Sequence, residues 1–280
     1  MAQNIREIRH KDKDYPKSLR EIPFPPKKFS VWGGFPKSKY YLSIVGTRRC
    51  SAYGEEILRK IISGLAPYGF ATVSGIAAGI DTVVAKASLE NKIPTIAVLG
   101  SGMAREAFYP PKNWALAERI VEAGGAIVSE YDHDMKATLW SFPQRNRIIS
   151  GLSPATLVVE APERSGALIT AKFALDQNRD VLAVPGSAFS SNSAGTNRLI
   201  KQGAALVESA EDVLRAYGIE FEEKINTDHL SLSTEEKRIL DLLIEPADID
   251  TLIRKSKMPS HTAQSVIGLM EIRGIIKKIG

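Results

Sequence analysis

Cysteine occurs once in the 280 residues, at Cys50, and histidine only at positions 10, 133, 229 and 261. A single thiol excludes an intrachain disulfide and any zinc site built on cysteines. The scattered histidines leave Asp132-His133-Asp134 without further ligands, so that tripeptide reads as a solvated loop. Residues 1–20 are polar and charged and lack the apolar centre of a secretory leader. No apolar run approaches the ~18 residues that span a bilayer. These absences point to a reducing cytosol. Two nucleotide-binding signatures are missing as well: Gly-x-x-x-x-Gly-Lys-Ser/Thr does not occur, and Gly100-Ser101-Gly102-Met103-Ala104-Arg105 lacks the third glycine of a dinucleotide fingerprint. No cofactor is expected.

What is present supports a sizeable core, with 44% of residues hydrophobic, enough for one large domain and a smaller second one. The net charge of +5 is unevenly spread. Residues 1–40 hold ten Lys/Arg against four Asp/Glu, residues 41–217 hold 18 against 17, and residues 218–280 hold nine against 11. A polyanion partner fits the basic total, but contacts in the neutral centre must be locally arranged.

Six β-branched runs recur from Tyr41 onward: Leu42–Val45, Ala71–Ser74, Thr95–Leu99, Ala126–Ser129, Thr156–Val159 and Val181–Val184. Helical periodicity follows them over Ser51–Pro67, Ile80–Glu90, Asn113–Ala123, Arg147–Leu152, Ala167–Gln177 and Asn197–Gln202. Strands alternating with helices predict a doubly wound, Rossmann-like parallel sheet over residues 41–217. The nearly unbroken apolar character of the runs is what helices on both faces require. Residues 1–40, with five prolines among basic residues, predict an irregular arm wrapped on the domain. Residues 218–230 are charged and read as a linker. In residues 231–280, Ser233-Thr234-Glu235-Glu236 opens a helix through Leu243, and two more helices cover Asp248–Lys255 and Ser260–Ile272. A strand over Ile275–Ile279 completes a small winged-helix-like unit.

In such sheets ligands bind at the carboxyl ends of the strands. The residues there are Gly46-Thr47-Arg48, Ser74-Gly75, Gly100-Ser101-Gly102, Arg164-Ser165-Gly166 and Pro185-Gly186-Ser187. Small residues followed by helix starts favour anions. Alone, each such loop is equally a tight turn. The densest segment is Trp140-Ser141-Phe142-Pro143-Gln144-Arg145-Asn146-Arg147, where two guanidinium groups, an amide and two rings suit a chain of phosphates and unstacked bases. The competing reading puts Phe142 in the core and pairs one arginine with Glu160.

Ser74-Gly75-Ile76-Ala77-Ala78-Gly79-Ile80-Asp81, Phe142 to Ser153, Val159-Glu160-Ala161 with Arg164 to Ala171, Ala183 to Ser187, and Gly195 to Ala204 resemble the signatures of the DNA-processing protein A family, DprA or Smf. The resemblance implies an extended Rossmann fold that binds single-stranded DNA, usually as a homodimer, without being an enzyme. It also implies protection of incoming strands during natural transformation and loading of the RecA recombinase. Carried onto this chain, Arg48 would grip a phosphate beside Gly46 and Thr47, while Gly75, Ser101, Ser165 and Gly166 would offer backbone or hydroxyl donors. Phe142 would meet a base, Arg145, Asn146 and Arg147 match an Arg-Asn-Arg motif, and Lys136 is the nearest match to a basic position ahead of Phe142. Ala78, Ala85 and Ala104 depart from the pattern. The alternative, a Rossmann-like nucleotide hydrolase, wants a glutamate on the helix after Arg164-Ser165-Gly166, where Phe173 and Ala174 stand instead.

Overall fold

A computed structural model describes residues 4–221, 232–243, 247–273 and 275–276. The chain divides into two compact units, residues 1–221 and 222–280.

The first unit is a nine-stranded sheet. Its parallel part comprises β3 (Tyr40–Val45), β4 (Phe70–Ser74), β5 (Thr95–Val98), β6 (Ala126–Ser129), β7 (Ala155–Val158), β8 (Asp180–Ala183) and β9 (Ala205–Leu206). Each of the six expected strands lies within two residues of its place, because a run buried on both faces is apolar at nearly every position and its ends are marked by polar or glycine residues. The two remaining strands, β1 (Ile5–Arg9) and β2 (Lys28–Gly33), form an antiparallel hairpin whose second strand pairs antiparallel with β6.

This corrects the irregular arm expected for residues 1–40. The five prolines stand in the connections, and Lys28-Phe29-Ser30-Val31-Trp32 between them carries the alternation of a strand. Phe29 and Val31 are buried, together with Tyr15, Leu19 and Ile22, against Ile148, Ile149 and Leu152. The hairpin thus covers apolar surface on one face of the sheet as well as extending its edge.

The strand order β1-β2-β6-β5-β4-β3-β7-β8-β9 shows the chain winding outward from β3 to β6 and then returning to β3's other side with β7. The crevice between β3 and β7 is therefore the switch point, where strand-end loops diverge. Helices α2 (Ala52–Leu65), α3 (Ile80–Glu90) and α8 (Ala210–Ala216) bury Leu58, Ile61, Ile62, Val84 and Val213 against one face. Helices α5 (Ser141–Gly151) and α6 (Gly166–Asp176) cover the other with Ile148, Ile149, Ala171 and Ala174. The shorter α1 (Lys17–Arg20), α4 (Trp114–Glu122) and α7 (Ala194–Lys201) complete the layers. Gly218 to Phe221, expected to begin a linker, still belong to this unit, since Ile219 and Phe221 pack on its core. The rest of that stretch lies outside the described residues.

In the second unit the three expected helices are present as α9 (Thr234–Leu242), α10 (Ile249–Ser256) and α11 (Ser260–Ile272), packed around Ile239, Leu252, Ile267 and Met270. The capping box reads as expected: Ser233 Oγ accepts from Glu236 N at 3.2 Å, and Glu236 Oε2 accepts from Ser233 N at 2.8 Å. Of the expected terminal strand, Ile275 and Ile276 form a bend whose N–H groups donate to Met270 O, and residues 277–279 lie outside the described residues.

Candidate nucleic-acid interface

The turn Gly46-Thr47-Arg48 leaves β3 at the switch point and is fixed by three hydrogen bonds. Thr47 N donates to Glu160 O at 2.7 Å, Ile80 N to Thr47 O at 3.1 Å, and Arg49 N to Thr47 Oγ1 at 3.2 Å. The start of α3 presses against it through Gly79, whose φ of +78° and 2.3 Å separation between a hypothetical Cβ and Thr47 O admit no side chain. Below the turn, Glu160 is buried and accepts from Ser51 N at 2.9 Å and Ser51 Oγ at 2.6 Å, while Ser51 caps α2 by accepting from Gly54 N at 3.1 Å. Glu160 is thus a structural anchor. Burial and this carboxylate push the neighbouring Cys50 thiol up to about 12, leaving no thiolate at neutral pH.

Helix α5 starts six residues earlier than its periodicity suggests, because Pro143 is tolerated in a first turn and Thr138 closes the entry. Thr138 N donates to Ser141 Oγ at 3.0 Å and Ser141 N to Thr138 Oγ1 at 3.2 Å. From that start, Phe142, Arg145, Asn146 and Ile149 share one face at helical spacing, and all four line a cavity of about 440 Å³. The same cavity is lined by Gly46, Thr47, Arg48, Arg49, Asp81, Arg164, Ser165 and Gly166. The half-buried Phe142 ring rests where Gly100 has no side chain, 5.5 Å from the Tyr109 ring, and the Arg48 guanidinium lies over it at 4.9 Å.

The charges around the cavity differ in kind. Arg48, Arg49 and Arg164 are exposed, and their guanidinium groups make no hydrogen bond or ion pair among the described residues. Arg145, in contrast, is buried: Nη1 donates to Gly75 O at 3.0 Å and to Val98 O, and Nε to Asn146 Oδ1 at 3.2 Å. Burial draws this guanidinium down to about 10, opposed by the charge of Asp81. Burial likewise raises the Asp81 carboxyl above its ordinary range, against the pull of Arg145 and the Ala77 N–H at 3.3 Å. The two hold the floor of the cavity. Helix α6 opens on the rim, with Ser165 Oγ accepting from Ala167 N at 3.2 Å, so its dipole adds to the three free cations.

Not every residue singled out in the sequence converges here. Gly75 is buried beneath Arg145, and Ser101 is buried and spends its hydroxyl on Gly102 O at 3.1 Å. Lys136 is exposed on the loop before α5 but does not line the cavity. Arg147 turns to a different surface. Nε donates to Phe24 O at 3.0 Å, and Nη2 pairs with Glu130 at 2.7 Å, with the two side chains 10% and 20% exposed. The acidic partner is therefore Glu130 and not Glu160. Arg49 and Arg164 are additions to the expected site: Arg164 opens the strand-end loop Arg164-Ser165-Gly166, and Arg49 directly follows Gly46-Thr47-Arg48.

A doubly wound sheet with exposed guanidinium groups, a helix N-terminus and a ring gathered at its switch point defines a Rossmann-like protein with a cation-lined crevice. The chain belongs to the family of DNA recombination-mediator protein A, whose model matches residues 6–218. It is 46% identical over 175 residues to protein Smf of Escherichia coli, a match covering 62% of this chain and 46% of that protein. It therefore spans about half the length of that relative. The crystal structure of DNA processing protein A from Streptococcus pneumoniae matches with a TM-score of 0.70 at 39% identity, covering 78% of this chain and 76% of that one. DNA processing protein A from Helicobacter pylori, whose single-stranded-DNA binding mode has been described, shares the fold with a TM-score of 0.66 at 24% identity, over 77% of this chain and 96% of that one.

Proposed function

We propose that this chain binds single-stranded DNA in the switch-point cavity and acts as a recombination mediator. In the cytosol, as a homodimer, it protects incoming strands during transformation and passes them to RecA. The observation that carries the binding is the set of three exposed arginines whose guanidinium groups make no hydrogen bond or ion pair among the described residues, beside a half-buried ring, all within one cavity. Free guanidinium groups seek phosphates, and a ring recessed among them is reached by an unstacked base but not by one inside a duplex. Arg48, Arg49 and Arg164 hold phosphates; Gly46, Thr47, Asn146, Ser165 and Gly166 supply short polar contacts; Phe142 takes a base. Binding without hydrolysis fits the only carboxylate in the lining, Asp81, being buried under Arg145. The second unit serves as a winged-helix-like accessory module.

Titrating the protein with single-stranded and duplex oligonucleotides of equal length tests this reading, and equal affinity for both would defeat it. Arg48→Ala is expected to weaken binding to every sequence and to flatten the dependence of log K on log salt by about 0.7, the share of one single-strand phosphate contact. A chain ending after Phe221 is expected to fold and keep its single-strand affinity, since Tyr217, Ile219 and Phe221 stay with the core they pack on. Loss of a cooperative melt in that chain would mean the boundary is misplaced.

A further inference from the structure

Phe189 stands fully exposed on the loop after β8, in Gly186-Ser187-Ala188-Phe189-Ser190. A lone exposed hydrophobic residue is ordinary, but its surroundings are not. The loop is tethered at both ends and closed on itself. Asn197 bonds Gly186 N at 3.2 Å and Gly186 O at 2.9 Å, and Phe189 N donates to Ser187 Oγ at 3.2 Å. Asn192 Nδ2 donates to Arg49 O at 3.0 Å, and Asn192 O accepts from Ala161 N at 2.7 Å. The loop is thus stitched to the Arg49 turn and to the end of β7.

Because β3, β7 and β8 are parallel neighbours, their outgoing loops emerge side by side. Two strand spacings, roughly 10 Å, separate the turn carrying Arg48 and Arg49 from the loop carrying Phe189, with Arg164 on the loop between. A ring presented to water on a tethered loop therefore follows a row of exposed cations along the carboxyl end of the sheet.

We propose that Phe189 is a second base-stacking platform for a single strand leaving the cavity, a step that rests on the single-strand reading above. The phosphates would run past Arg49 and Arg164, and a base beyond them would lie on the Phe189 ring. Charge complementarity favours a polyanion here over an apolar protein surface. The platform would lengthen the footprint and leave the number of charge contacts unchanged.

The test uses the full chain and two strands of about thirty nucleotides, one with all its bases and one abasic except for a single central position that fills the Phe142 cavity. Phe189→Ala is expected to weaken binding to the fully based strand about tenfold, the size of one lost stacking contact, without altering the salt slope. Phe189→Trp should restore affinity. On the mostly abasic strand wild type and Phe189→Ala should bind alike. The proposal is overturned if Phe189→Ala matches wild type on the fully based strand, if it loses equally on both strands, or if it alters self-association while affinity per protein is kept. Wild type failing to bind either strand would remove the cavity reading itself, whereas wild-type binding with an indifferent Phe189→Ala removes only the platform.

Discussion

Arg145→Ala is expected to cost about 3–5 kcal/mol of folding stability, the range for removing one partner of a buried charged cluster. The guanidinium serves three groups at once: the carbonyls of Gly75 and Val98 at the ends of β4 and β5, and the Asn146 amide. Without it those buried carbonyls lose their donor and Asp81 loses its nearest positive charge. Arg145→Lys keeps a charge but cannot serve two carbonyls with a planar fork, so it recovers only part of the loss. The variant also makes a pH forecast. Burial already raises the Asp81 carboxyl, and removing Arg145 raises it further, so the folded state holds that proton more tightly than the unfolded chain. The resulting contribution is present at acidic pH and fades as pH rises, so Arg145→Ala should be less destabilised in mild acid than at neutral pH. Urea unfolding at the two pH values measures this. A neutral-pH loss below about 1 kcal/mol would mean the side chain is free to face a ligand.

The contrast between Arg145 and Arg147 marks the limit of what the sequence discloses. The parallel strands are legible because burial on both faces leaves a local signature, and the helices of the second unit because caps such as Ser233 and Asp248 are local chemistry. The N-terminal hairpin is not, since its order comes from pairing with β6, nearly a hundred residues away, and from covering Ile148 and Leu152. For α5 the difficulty is register. A helix beginning at Arg147 says nothing about Phe142, whereas one beginning at Ser141 sets Phe142, Arg145 and Asn146 on one face and turns Arg147 about 100° from Asn146, onto the hairpin's Phe24 carbonyl. Two arginines separated by one residue in one motif then meet different surfaces. The loops at the strand ends were legible as a set, yet which cations there lack partners depends on Glu160 being taken by Ser51 and Glu130 by Arg147.

Phe142→Ala should lower single-strand affinity by roughly 1–3 kcal/mol while leaving the salt slope nearly unchanged, because stacking exchanges no counterions. The ring is half-buried and stands outside the hydrophobic clusters of the sheet, so folding should lose clearly less than the ~3–5 kcal/mol of a truncated core phenylalanine. Comparing the melt with the isotherm separates these contributions: a large fall in stability with affinity per folded molecule preserved would make Phe142 a core residue. The Arg48 guanidinium 4.9 Å above the ring adds a sharper test. If the ring also holds that cation in place for a phosphate, the two side chains act as one unit, and the double variant Arg48→Ala/Phe142→Ala should lose less than the sum of the single losses. A coupling of about 0.5–1 kcal/mol is expected from a partly exposed cation–ring pair. Strict additivity would show that phosphate and base are gripped independently, with the contact between Arg48 and Phe142 dissolving once DNA enters the cavity.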